Sequence, residues 1–103
     1  MEEVVLITAP NQEVAKTIAR ALVEERLAAC VNLVPGLTSV YRWQGEVVED
    51  QEVLLIVKTT TFAFPRLKER VLALHPYTMP EIIALPIAEG HGAYLSWLRE
   101  NVG

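Results

Sequence analysis

The chain has one cysteine, Cys30, so it can form no internal disulfide, and this predicts a reducing compartment. It has no apolar run long enough to cross a bilayer, which argues against a membrane-spanning helix. Its nine Lys and Arg residues are scattered and outnumbered by thirteen Asp and Glu, for a formal net charge of -4. Nothing in that pattern could track a phosphate backbone, which excludes nucleic acid as a partner. The opening "MEEVVLITAPNQ" carries acidic residues where an export signal carries positive ones, and its apolar run is short. Together these absences predict a cytoplasmic protein.

What is abundant is apolar surface: 51% of 103 residues are hydrophobic. A chain this short forms one domain, residues 1–103, and buries a smaller share of its surface than a large one does. The excess predicts that a further subunit covers some of it.

The pattern along the chain is specific. "VVLITA", Val4 to Ala9, is a short β-branched run closed by Pro10 and predicts a buried strand. Asn11 is a good N-cap, Glu13 suits a first turn, and Val14, Ile18, Ala21, Leu22 and Val23 recur near helical spacing before Arg26 and Leu27. "AACVNLV" then returns to β character, "PG" at Pro35 and Gly36 bends or bulges it, and "LTSVYRW" continues with Leu37, Ser39, Tyr41 and Trp43 on one side. "QGE" predicts a turn into "EVVEDQEVLLIVKTT", the second arm of a long hairpin. Thr60 or Thr61 is the expected cap of the next helix, with Pro65 in its first turn and Leu67, Val71, Leu72 and Leu74 as its buried stripe. "HPYTMPEI" ends that helix; "EIIALPIA", Glu81 to Ala88, is a last strand with Pro86 marking an edge, and "AYLSWLRENV" is a short amphipathic helix.

The order βαββαβ plus a C-terminal helix predicts an α+β, ferredoxin-like fold with one antiparallel sheet and helices on one face. In "VLLIVKT" both alternating sets are apolar, Val53, Leu55 and Val57 against Leu54 and Ile56, so both sheet faces need cover. Two main helices can shield one face. The other predicts packing between subunits.

Chemistry is sparse. His75 stands at a predicted helix end and is either a capping residue or a metal ligand, although the helix dipole there favours the imidazolium that a metal cannot use. Cys30 in an apolar strand reads as a core residue rather than a nucleophile. Glu46, Glu49, Asp50 and Glu52 form an acidic stretch without the spacing of a calcium loop, and read as a solvated turn. Glu81 lies near His75 in sequence and can pair with Lys58. Tyr41 with Trp43, and Tyr94 with Trp97, read as core or interface aromatics. An acid and base made of His75 and Glu81 would rest on residue type alone, so the expectation is a protein that is not an enzyme.

"AACVN", "SVYRWQG", "VLLIVKTT", "HPYTMPEI" and "YLSWL", in that order and spacing, resemble the CutA divalent-cation tolerance family over nearly the whole chain. The resemblance implies a homotrimer, a cytoplasmic location and a role in tolerance of copper or another divalent cation, by metal binding or by regulation. It also implies copper donors at a first-strand cysteine and at two histidines before "PY". Those positions hold Ile7, Leu74 and His75, so His75 alone carries over as a metal ligand, and Thr78 stands where many members place an acid. The implied trimer is similar to that of the P-II signalling proteins. That similarity suggests a small ligand or anion in an intersubunit cleft, with Tyr41, Trp43, Lys58, His75 and Glu81 as its candidate residues.

Overall fold

A computed structural model describes every residue from Met1 to Gly103. The elements follow in the order β1 (Glu2–Ala9), α1 (Gln12–Glu24), β2 (Cys30–Trp43), β3 (Glu46–Thr60), α2 (Phe64–Leu74), β4 (Ile82–Pro86) and α3 (Gly92–Glu100). The sheet runs β2-β3-β1-β4, with every neighbouring pair antiparallel. This is the α+β, ferredoxin-like order expected from the sequence.

Alternation along β1 and β3 sets the two faces. Val5, Ile7 and Ala9 of β1 and Val53, Leu55 and Val57 of β3 point one way, under α1 and α2, and are buried with Ile18, Leu22, Leu67 and Val71 in one core. α1 begins where Asn11 accepts a hydrogen bond from the Val14 amide at 2.9 Å. It ends in a tight reversal: the Leu27 amide donates to the Leu22 carbonyl and the Arg26 amide to that of Val23, with Arg26 at φ 59°. These two bonds satisfy carbonyls that the helix end would leave open.

Two details of α2 depart from expectation. The Thr60 hydroxyl accepts from the Ala63 amide, one turn before the helix, and Ala63 itself stands at the N-cap, while the Thr61 hydroxyl donates to the Met1 carbonyl. Leu72 is exposed rather than part of the buried stripe, because α2 meets the core through Leu67 and Val71, with Phe64 and Leu74 packed at its margins.

The sheet's second face carries α3 at one end, where Arg99 meets Glu2 at 3.1 Å and Tyr94 lies against Cys30. Beyond α3 this face is open and apolar. Leu54 and Ile56 are half-buried there, and Val34, Ile83 and Leu85 are 42%, 50% and 50% exposed. No helix is long and apolar enough to cross a membrane.

The long hairpin carries the feature that positions the site. Val34 faces Leu54, but Leu37 faces Glu52, so β2 has one residue more than β3 across Pro35 and Gly36. Gly36 takes φ 77° at this bulge. A one-residue insertion reverses which side chains point to which face. Ser39, Tyr41 and Trp43 are therefore brought to the face that Glu52 shares.

Candidate functional site

Where the bulged arm of β2, the end of β1 and the α2–β4 connection converge, a cleft of about 670 Å³ opens. Tyr41, Trp43, Glu52, Tyr77 and Glu81 supply most of its chemistry, with Thr8, Ser39 and Arg42 at its walls. Its volume lies within the range of small-molecule sites, about 300–1,000 Å³.

His75 builds the corner behind the cleft. Pro76 biases it away from helical backbone, and at φ -79° and ψ 135° it is the C-cap of α2, its amide donating to the Val71 carbonyl at 2.8 Å. Its ring is 7% exposed and fully engaged. Nε2 faces the Thr8 carbonyl at 2.7 Å, and Nδ1 accepts the Tyr77 amide at 3.2 Å. A nitrogen facing a carbonyl must carry the proton, and one accepting an N–H must not, so the ring is the neutral Nε2–H tautomer. No ring lone pair remains for a metal. In this conformation the histidine ties α2 to β1 and aims the chain at Tyr77, and no three His, Cys, Asp or Glu side chains of the subunit gather to hold an ion.

Tyr77 packs beside that ring, with centroids 4.7 Å apart, and donates its hydroxyl to Glu52 Oε2 at 3.0 Å. Burial, and then the hydrogen bond and negative charge of Glu52, push the Tyr77 phenol up to about 12. Tyr41 donates to Asp50 Oδ2, and this bond is the main cause of its own upward shift. Both phenols thus stay protonated as donors to carboxylates. Glu52 is only 7% exposed, and the chain's ion pairs, Arg20–Glu24, Arg70–Glu25 and Arg99–Glu2, leave it out.

Of the residues singled out from sequence, Tyr41, Trp43 and Glu81 line the cleft and His75 stands directly behind it. Lys58 is elsewhere. It bonds to the Asn32 side chain and lies opposite Val4 and Cys30, six residues from Glu52 along an extended strand, or about 20 Å. The anticipated Lys58–Glu81 pair is therefore absent, because Lys58 lies opposite Val4 near the start of β1 while Glu81 precedes Ile82, which lies opposite Ile7 near its end. Sequence reading missed Glu52 and Tyr77. Glu52 had a signal: it is in phase with Leu54 and Ile56, which puts a carboxylate on a sheet face rather than in a solvated turn.

The family model for the CutA1 divalent ion tolerance protein matches residues 3–101. The chain belongs to this family. It is 82% identical over its full length and theirs to the divalent-cation tolerance protein CutA of Thermus thermophilus. It is 52% identical to human protein CutA over 91% of this chain, which spans 52% of the human protein's length. Solved structures agree: the Thermus thermophilus protein superposes with a TM-score of 0.99 over 100% of both chains at 82% identity. CutA1 from Oryza sativa superposes at 0.96, over 99% of this chain and 94% of that one, at 48% identity. The CutA1 fold thus supplies the whole scaffold of the cleft, and the ferredoxin-like reading of the sequence agrees with it.

Proposed function

We propose that this CutA1 chain serves divalent-cation tolerance as a cytoplasmic homotrimer with a regulatory, non-enzymatic role, rather than as a copper buffer with a metal centre inside each subunit. The observation that carries the reading is the open sheet face. Leu54, Ile56, Val34, Ile83 and Leu85 form an apolar surface that water would otherwise cover, and burial of such surface is worth roughly 25 cal/mol per Å². Two more copies can close that face and turn each cleft toward a subunit junction.

The state of His75 supports regulation over buffering, since both ring nitrogens are occupied within the subunit. Copper or another divalent cation acting on the trimer would take its donors from more than one subunit. Calorimetric titration with Cu(II), Zn(II) and Ni(II) tests this. Any binding by the wild type is expected to persist within a factor of about three in His75→Gln, a change of under 1 kcal/mol. Loss of a micromolar site in that variant, with the fold retained, would restore His75 as a ligand and overturn the reading.

A further inference from the structure

A carboxylate as buried as Glu52 calls for a counter-charge, because a buried charge without one is costly. Its one partner in the chain is the neutral Tyr77 hydroxyl on Oε2. Glu81 adds a second carboxylate to the cleft wall and Asp50 stands behind Tyr41, against the single guanidinium of Arg42. The lining is therefore net acidic. Three aromatic rings, Tyr41, Trp43 and Tyr77, complete it and are 40%, 41% and 39% exposed. The two tyrosine hydroxyls point to carboxylates, which leaves the ring faces and the Trp43 indole as the remaining contact surface.

Aromatic faces beside a largely buried carboxylate form the environment that holds an alkylammonium group, at about 0.5–2 kcal/mol for each cation–π contact. A cavity of about 670 Å³ is far larger than a bare metal ion needs and suits an organic molecule. We propose that the cleft binds an organic ammonium ion, with Glu52 as its counter-charge and Trp43 and Tyr77 as its aromatic walls. The anion suggested by the P-II resemblance is opposed by the same carboxylates. This inference rests on the regulatory reading in taking the cleft as the controlled site, while the assembly is tested separately by its mass.

Calorimetry on the assembled wild-type protein compares choline with neohexyl alcohol, its neutral isostere, and putrescine serves as a primary-amine probe. Choline or putrescine is expected to bind, and neohexyl alcohol to bind at least about tenfold more weakly. Glu52→Gln should weaken the ammonium probes by about tenfold or more. Trp43→Leu, on the exposed arm of β2, should weaken choline without loss of fold and carries the test if Glu52→Gln does not fold. Equal binding of choline and its isostere, undiminished binding in the two variants, or no heat from either ammonium probe through the millimolar range would overturn the proposal. A wild-type protein of three-chain mass that ignores both probes would refute this inference alone. A one-chain mass would refute the trimer alone.

Discussion

Tyr77 shows how much one side chain settles here. It follows a proline, packs on His75 and holds Glu52, so it joins the helix corner to the hairpin. Its phenol is raised from 10.0 to about 12, which means the folded state keeps a proton that the unfolded state has lost in that interval. The unfolded state then binds fewer protons, so stability falls as pH rises. The contribution is complete below about pH 10 and gone by about pH 12. Denaturant melts across this range should show a flatter decline for Tyr77→Phe than for wild type. Tyr41 and Tyr94 are shifted in the same direction, so the decline should be reduced and not abolished. An unchanged slope would contradict the buried, hydrogen-bonded setting of the Tyr77 phenol. From sequence, "HPYTMPEI" was legible as a corner because prolines restrict backbone locally. Which atoms the histidine bonds was not, since Thr8 is 67 residues away in the chain.

At the scale of elements, the hairpin was readable and its consequence was not. β2 and β3 close through Gln44 and Gly45, at φ 49° and 83°, a two-residue turn between Trp43 and Glu46. Consecutive left-handed residues match the right-handed strand twist, which is why glycine suits the second position. Nothing lies within 4 Å of where a Cβ on Gly45 would sit, so substitution there costs backbone energy alone. Gly45→Ala should destabilise by about 1–2 kcal/mol in urea melts. Gly92→Ala, also with open space but at an ordinary φ, should be neutral or stabilising by up to about 1 kcal/mol. Equal effects at the two glycines would show that the turn does not hold this geometry. "PG" announced an irregularity in β2, but only the pairing partners show that it inserts one residue and brings Tyr41 and Trp43 beside Glu52. A bulge's size is a property of two strands, and either strand alone under-determines it.

For the whole molecule, apolar content carried the strongest inference. Leu54 and Ile56 interleaved with Val53, Leu55 and Val57 already implied a sheet wanting cover on both sides, and the folded chain buries Val53, Leu55 and Val57 under its helices while Val34, Ile83 and Leu85 stay exposed on the other side. In the proposed homotrimer that second face would be closed. Light scattering on the eluting peak of a size-exclusion column at micromolar concentration measures this closure directly. The expected mass is three times the 11.5 kDa of one chain, and Ile83→Asp, which places a charge on the open face, should shift it toward a single chain. A wild-type mass of one chain at that concentration would contradict the account.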